Sequence, residues 1–317
     1  MFSFFKFLQK FIKDLKSNKG LWFTILAVVS VTGIFLSLYL LTHMTESVSK
    51  DVYVNMSSTY TKNYKNRVHK KEEAFKKVLL SIKSNNTFMD NIANNNLLEV
   101  GNSVSEFNNN FKTNGFPTFQ LSFYPIFNQV NQYRNSINSV INSKNKIFGI
   151  EVLQDGVYYE YIEPLFIDDR LIGILELKEE LHDFKNDYIK DDLIFLFLIE
   201  ERMLNKLSIE ARNGKYREVV ETLYVEEERY DGQFYGKIIE AGKEGYTEML
   251  SDGYYVDDTY FRAVQKVADI DGNIIGLIAI GEPVEGSGAF VNIVDNMTKT
   301  VTTVALGLVI SILLFMF

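Results

Sequence analysis

The chain has 317 residues, of which 41 are acidic and 33 basic, and its formal net charge is −8. This acidic balance excludes nucleic acid and anionic lipid as partners held by general electrostatics. The absence of cysteine excludes disulfides, thiolate nucleophiles and cysteine-based metal sites, and the three scattered histidines predict neither a metal site nor a cofactor.

Two uncharged apolar blocks lie near the ends of the chain, at residues 21–43 and 301–317. A helix needs about 20 residues to cross the hydrocarbon core, so both blocks are predicted transmembrane helices, the second at the short end of the range. Residues 1–20 carry five lysines against one acid, which predicts a cytoplasmic tail and a central region on the other side. A cleaved signal peptide is the alternative for the first block, but that block is longer than a signal h-region and no small-x-small site follows it.

Residues 44–85 are predicted to form a long stalk helix. The stretch from 44 to 84 has no glycine or proline, and its apolar residues recur near every fourth position. These residues are Val48, Val52, Met56, Tyr60, Tyr64 and Val68. Such a helix could dimerise or pack along one side of a domain, and the two interpretations are compatible.

Residues 86–190 are predicted to form a first unit of mixed structure. Asn-rich segments at 91–96 and 108–110 indicate turns and helix ends. Stretches rich in aromatic and β-branched residues follow, and they are predicted strands at 118–124, 147–153, 157–167 and 170–177. The breaks at 154–156 and 168–169 have the composition of tight hairpin turns, so we expect an antiparallel sheet.

Residues 191–285 are predicted to form a second unit. Its candidate elements are a strand at 192–198, a helix at 201–212 and strands at 246–250, 254–268 and 273–280. Both units contain an acidic turn, a tyrosine-rich hairpin and an Ile-Gly strand, and corresponding elements lie roughly 100 residues apart. The two strands are LIGILEL at 171–177 and IIGLIAI at 274–280. This repetition predicts two tandem domains of one fold, with chance similarity of β-rich segments as the alternative. Residues 286–300 are predicted to continue as a helix into the second span.

The stretch YRNSINSVINSKNKIFGIEVLQDGVYYEYIEPLFIDDRLIGILEL (residues 133–177) contains a helix, a GxE strand, a hairpin ending in a proline and an Ile-Gly strand. This order resembles the double Cache sensor domains, of the double sensory domain type, found in bacterial chemoreceptors and related signal transducers. The resemblance implies an α+β fold. It would comprise a long N-terminal stalk helix and two tandem PAS-like Cache units with antiparallel sheets, flanked by two transmembrane helices.

The resemblance also implies a location and a function. The location is the bacterial inner (cell) membrane, in a multi-pass homodimer with its N-terminus in the cytoplasm and its central domain periplasmic or extracellular. The function is chemotaxis-type sensing of a small polar ligand (an amino acid, amine or carboxylate) in the membrane-distal unit, with a conformational signal passed across the membrane.

Other functions stay open at this point. The chain could be the sensor of a diguanylate cyclase or histidine kinase, or a membrane-anchored periplasmic interaction protein without a small-molecule ligand. The sequence has no nucleophile elbow, HExxH motif or P-loop, so we do not expect an enzyme. It ends inside the second span, which is expected of a fragment or of a receptor without its own output domain.

The candidate ligand site lies in the membrane-distal unit. Its predicted residues are Tyr133, Arg134, Glu151, Tyr159, Tyr161 and Glu163. A guanidinium can bind a ligand carboxylate with two hydrogen bonds, while glutamates and tyrosine faces can hold an amine. The alternative is structural, because tyrosine-rich strands are often half-buried sheet and Arg134 could simply tie a helix to a carboxylate. Glu160 departs from the family pattern, in which we expect a basic residue on this strand.

A second candidate pocket lies in the proximal unit. Period-2 alternation places Asp258, Tyr260 and Arg262 on one face of a strand. These residues could line a pocket or form a satisfied Asp–Arg pair within a sheet. We rank this pocket second because the distal unit is the usual ligand site in double Cache domains.

Overall fold

The computed structural model describes residues 19–126, 133–284, 299–307 and 310. Residues 56–284 form one compact unit, and residues 1–55 together with 285–317 form another. The predicted cytoplasmic tail up to residue 18 and most of the predicted helix 286–300 lie outside the described residues. The structure of residues 56–284 contains all the strands discussed below.

Among the described residues, no helix combines the length and the apolar character needed to span a membrane. Most side chains of the predicted first span, residues 21–43, are outside the described part of the chain. So are residues 308–309 and 311–317 of the predicted second span. The two transmembrane helices therefore stay predictions.

Three helices precede the first sheet, and the first of them is very long. They are α1 (Lys19–Lys83), α2 (Asn86–Ala93) and α3 (Leu97–Thr113). Phe75, Leu79 and Ile82 of α1 are buried because their spacing places them on one face of the helix. Residues 108–110, predicted as a turn or helix end, lie inside α3 because Phe107 and Phe111 pack on the core at helical spacing.

The first sheet has four antiparallel strands in the order β1-β4-β3-β2. They are β1 (Gln120–Pro125), β2 (Ile147–Val152), β3 (Val157–Ile167) and β4 (Arg170–Glu180), with helix α4 (Asn135–Ser143) between β1 and β2. The predicted antiparallel pairing is confirmed. Asp168 and Asp169 join β3 to β4 with φ angles of 47° and 58°. Positive φ at both central residues is typical of a two-residue type I′ hairpin turn.

A 3₁₀ helix (Leu181–Lys185) and α5 (Asn186–Ile189) lead to the second sheet. Its six antiparallel strands are β5 (Ile194–Glu200), β6 (Tyr216–Val220), β7 (Leu223–Glu226), β8 (Tyr254–Val256), β9 (Tyr260–Ala268) and β10 (Ile274–Pro283), in the order β6-β7-β5-β10-β9-β8. The intervening helices are α6 (Glu201–Leu204), α7 (Ile209–Arg212) and α8 (Gly232–Asp252). Two antiparallel sheets with helices confirm the mixed fold class.

The second sheet differs from the prediction in several places. Residues 246–250, predicted as a strand, lie in the second part of α8, which follows a kink at Gly242 (φ 59°, ψ −154°) and ends at Gly253 in the left-handed region. Residues 201–212 form two short helices instead of one, because Ser208 caps the second of them. The hairpin of β6 and β7 was not predicted.

The two faces of the first sheet carry different side chains. Alternation along β3 directs Tyr159 and Tyr161 toward the core that α1 covers. The same alternation directs Glu160 and Ile162 to the other side, where Ile162 packs against Ile137 of α4. We call the two sides the α1 face and the α4 face.

The glycines of the two Ile-Gly strands leave room for a neighbouring strand. A Cβ atom on Gly276 would lie 2.0 Å from the carbonyl oxygen of Leu198, and one on Gly173 would lie 2.3 Å from the Phe123 ring. Each glycine thus lets its strand approach a neighbour more closely than any other residue would.

The substitution Gly276→Ala is expected to lower the free energy of unfolding by about 2 kcal/mol, because the backbone of β5 must move to admit the new methyl group. Gly236→Ala in α8 is the matched control, since nothing lies within 4 Å of its Cβ position. That control should be neutral or slightly stabilising. Thermal unfolding followed by circular dichroism measures both, and equal unfolding temperatures for the two variants would contradict the expectation.

Candidate functional site

Arg134 lies at the centre of an ion cluster on the α4 face. It is the N-cap residue of α4, and its guanidinium reaches three carboxylates on the sheet. Nε donates to Ser136 Oγ at 2.8 Å and lies 3.2 Å from Glu151 Oε2 on β2. Nη2 lies 2.5 Å from Glu160 Oε2 on β3 and forms a close ion pair with Glu176 Oε1 on β4. One guanidinium therefore joins three strands through three acids, which we call the Arg134 cluster.

Two tyrosines extend this cluster. Tyr124 donates its hydroxyl hydrogen to Glu176 Oε2 at 2.7 Å and accepts a hydrogen bond from Arg134 Nη1 at 3.3 Å. Tyr133 donates to the carbonyl oxygen of Pro125 at 2.7 Å, and its ring meets that of Tyr124 edge-on with centroids 5.3 Å apart. Tyr133 therefore helps to hold the chain segment that carries Arg134.

The acids of the cluster differ in their exposure to solvent. The side chains of Glu160 and Glu176 are 0% and 1% exposed, whereas those of Glu151 and Arg134 are 17% and 25% exposed. Glu151 and Arg134 thus form the solvent side of the cluster. Removing a charge from water costs several kcal/mol, so burial of two acids in this sheet is unfavourable for folding if both are ionised.

Burial and the neighbouring Glu176 carboxylate raise the pKa of Glu160 to about 9, although Arg134 acts in the opposite direction. Burial alone would lower the pKa of Arg134, but the hydrogen bond and charge of Glu176 raise it instead. Glu160 Oε1 has no hydrogen-bond partner among the described residues. These shifts favour a proton on Glu160 beside a charged guanidinium at neutral pH.

Lys178 also lies on the α4 face, next to Glu160 in the strand register. Its ammonium lies 3.2 Å from Asp155 Oδ2 and 4.1 Å from the centre of the Tyr158 ring, so its charge is directed away from the Arg134 cluster. Within the described residues, no group of His, Cys, Asp and Glu side chains is placed to hold a metal ion. The cluster is organised around a guanidinium.

The six residues predicted for the ligand site divide between the two faces. The structure brings Tyr133, Arg134 and Glu151 together on the α4 face and places Tyr159, Tyr161 and Glu163 on the α1 face. Their grouping into one ring is therefore corrected, because successive residues of a strand alternate between its faces and the helix of Arg134 covers only one of them.

Contacts with α1 and with the β2 edge account for the three residues on the α1 face. The hydroxyls of Tyr159 and Tyr64 are hydrogen-bonded at 3.0 Å, and Glu163 Oε1 lies 2.7 Å from Lys83 Nζ. Tyr161 is buried, with Lys146 Nζ 5.1 Å from the centre of its ring. These contacts support the alternative that Tyr159 and Tyr161 are structural residues of the sheet.

Glu160, Glu176 and Tyr124 belong to the cluster but were not among the predicted site residues. Glu160 had been noted only as a departure from the family pattern. The available signal was a charged residue within an apolar strand, at Glu160 in YYEYI and at Glu176 in ILELK. Such residues are rarely buried without a partner or a function.

In the second candidate pocket, Arg262 is completely buried and its partner is Asp257. Nη1 of Arg262 lies 2.6 Å from Asp257 Oδ2, and the guanidinium carbon lies 4.9 and 5.1 Å from the centres of the Phe234 and Tyr260 rings. Asp258, predicted to share this face, is 79% exposed and pairs with Lys237 instead. The prediction is corrected because β8 ends at Val256 and β9 begins at Tyr260, so strand alternation does not continue through Asp258.

The substitution Asp257→Asn is expected to destabilise the fold by about 2 kcal/mol, because it leaves the buried Arg262 without a counter-charge while retaining a side-chain oxygen for the turn. Asp258→Asn, one residue further on and exposed, should change stability by less than about 0.5 kcal/mol. Chemical denaturation of both variants checks the difference. A larger loss for Asp258→Asn would contradict the pairing.

Two cavities lie elsewhere in the described residues. One of about 670 Å³ is bounded by α1, the loop before β1 and α5, and one of about 180 Å³ lies beside His182 between the two sheets. Neither is lined by a residue of the Arg134 cluster. The ion network on the α4 face is therefore separate from both cavities.

No family model matches the sequence, and no curated protein matches it. Among solved structures, the chain is similar to the extracellular domain of vpHK1S-Z8, which is described as a histidine kinase. The two share 10% sequence identity, and the similarity covers 76% of this chain and 96% of that chain with a TM-score of 0.42. The ligand-binding domain of the Campylobacter jejuni chemoreceptor Tlp3 in complex with L-valine has 10% identity, 81% and 98% coverage and a TM-score of 0.40. The sensor domain of the V. cholerae histidine kinase DctB has 9% identity, 73% and 96% coverage and a TM-score of 0.36.

These structural neighbours are sensor domains of chemoreceptors and histidine kinases, the class that the sequence resemblance names. At these TM-scores the similarity assigns no ligand and no output to this chain.

Proposed function

We propose that the chain is the extracytoplasmic sensing region of a bacterial transmembrane receptor, and that it binds a small polar ligand at the Arg134 cluster. The observation that carries the proposal is the cluster itself, in which three carboxylates and one guanidinium are buried or half-buried on a sheet face otherwise packed with Ile137, Val140, Ile162 and Ile174. A buried ion network is weak evidence for stability. Perturbed groups of this kind concentrate at functional sites.

The same sheet offers a route from the site to α1. β3 and β4 carry the cluster acids on one face, and on the other face they hold α1 through Lys83–Glu163 at 2.7 Å and Lys71–Glu179 at 2.5 Å. A ligand that repacks the α4 face would shift the strands to which α1 is bound. α1 itself runs without interruption from Lys83 back to Lys19, the flank of the predicted first span.

The proposal concerns binding and is common to chemotaxis receptors, histidine kinases and diguanylate cyclases. We also propose the two predicted membrane spans and the predicted homodimer. The proposal assigns the chain no catalytic role. The competing function is a membrane-anchored interaction protein without a small ligand, and that function predicts that no small molecule binds at the cluster.

The test is a thermal-shift screen of the full chain in lipid nanodiscs with amino acids, amines and carboxylates. At least one compound should raise the unfolding temperature, because a ligand that binds only the folded state stabilises it. Glu151→Ala should abolish that rise, since Glu151 forms the solvent side of the cluster. Glu163→Ala, on the α1 face of the same sheet, should retain it. A screen without a stabiliser, or a stabiliser that both variants retain, would overturn the proposal.

A further inference from the structure

Contacts with the described residues leave the Arg134 guanidinium one N–H group of Nη1, and no parallel pair, for a ligand carboxylate. Nε is shared between Ser136 and Glu151, Nη1 donates to Tyr124, and Nη2 donates to both Glu160 and Glu176. A guanidinium binds a carboxylate well only when two parallel N–H groups are available to it. The arginine that would recognise the carboxylate of an amino acid is already occupied by the protein's own acids.

The acceptor that does lack a partner is Glu160 Oε1. It is buried, and no described group donates a hydrogen bond to it. Burial and the neighbouring carboxylates of Glu176 and Glu151 raise the pKa of Glu160 and so favour its protonated form. The unpaired acceptor of the network is therefore on Glu160, and Glu151 is the acid of the cluster nearest to solvent.

The charges around Glu160 also favour a cation. The charged and titratable groups that face it are Arg134 from α4, Glu151 from β2, Glu176 and Lys178 from β4, Tyr124 from β1 and Tyr158 from β3. Lys178 is neutralised by Asp155 at 3.2 Å. Three acids are left against one guanidinium, so the cluster keeps an excess of negative charge even when Glu160 holds a proton.

We infer that the ligand of this site is a small primary amine without a carboxylate, whose ammonium group binds between Glu160 and Glu151. This inference rests on the proposed function and adds the class of ligand to it. The step balances in protons and charge. Protonated Glu160 releases H⁺ to solvent, its carboxylate accepts an N–H hydrogen bond from the ammonium, and Glu151 accepts a second one.

The experiment compares matched ligands on the full chain in nanodiscs by isothermal titration calorimetry. Each set contains a proteinogenic amino acid, its decarboxylated amine and its deaminated acid, for example L-valine, isobutylamine and isovalerate. At least one amine should bind about tenfold more tightly than both relatives, since one additional or missing charge-assisted hydrogen bond is worth that factor. Its binding heat should differ between buffers of different ionisation enthalpy in the sense of proton release at pH 7.

Two variants of matched volume locate the effect. Glu160→Gln should abolish the proton release and weaken amine binding about tenfold, because an amide cannot carry the negative charge. Glu163→Gln, three residues further along β3 on the other face, should retain both. Tighter binding of the amino acids or acids at this cluster would overturn the inference and leave the proposed function standing. Amine binding without proton release, or unchanged in Glu160→Gln, would overturn the inference as well. Absence of binding by all compounds would overturn both.

Discussion

Replacing Arg134 by alanine is expected to lower the free energy of unfolding at neutral pH by about 4 kcal/mol. The substitution leaves Glu160 and Glu176, which are almost completely buried, without the guanidinium that pairs with both of them. Uncompensated buried carboxylates either stay charged at high cost or take up protons. The loss should therefore be smaller at pH 5 than at pH 8, because protonation of the acids is easier at low pH.

Arg170→Ala is the matched control for this prediction. Arg170 lies at the exposed start of β4 and should affect stability by less than about 0.5 kcal/mol. Chemical denaturation at pH 5 and pH 8 measures both variants. A loss of similar size for the two arginines, or a loss for Arg134→Ala that does not grow with pH, would show that the guanidinium does not hold the acids together.

Glu160→Gln is expected to change the pH dependence of stability. The pKa of Glu160 is raised to about 9 in the folded protein, from 4.5 for an ordinary glutamate. The folded state therefore binds one more proton than the unfolded state between these values. By linkage, the stability that this carboxyl contributes is fully present below the unfolded pKa and is lost as pH rises toward the folded pKa. The wild-type chain should lose roughly 1 kcal/mol per pH unit over this range relative to Glu160→Gln.

The control for this comparison is Glu163→Gln, whose stability should follow the wild-type pH profile in parallel. Denaturant titrations at each pH unit from 5 to 9 provide the three curves. Parallel curves for wild type and Glu160→Gln would mean that Glu160 is ionised throughout the range, and the proton in the cluster would then have no structural basis.

Local patterns in the sequence were sufficient to predict the strands of the first sheet. The predicted strand 157–167 coincides with β3, and 147–153 and 170–177 overlap β2 and β4, because alternating burial and tight turn residues act within a few positions. Failures occurred where a cap or a glycine decided the outcome. Residues 246–250 lie in the second part of α8, between the kink at Gly242 and the helix end at Gly253.

The candidate site was predicted in part, since Tyr133, Arg134 and Glu151 do meet on the α4 face. The acids of β3 and β4 were missed because their meeting depends on register. Glu160 and Glu176 are brought to Arg134 by the pairing of two strands and by the position of α4, and neither is a property of neighbouring residues. Alternation alone could have separated Glu160 from Tyr159. It could not have shown which face α4 covers.

The most direct test of this account is infrared difference spectroscopy of the full chain in nanodiscs, with and without a bound amine at pH 7. If a proton lies on Glu160, the amine-free protein should show the C=O stretching band of a protonated carboxyl group, and binding should remove it. That band should be absent from Glu160→Gln and present in Glu163→Gln. A band that survives saturation with the amine, or its absence from the free wild-type protein, would contradict the claim that an ammonium replaces the proton of the Arg134 cluster.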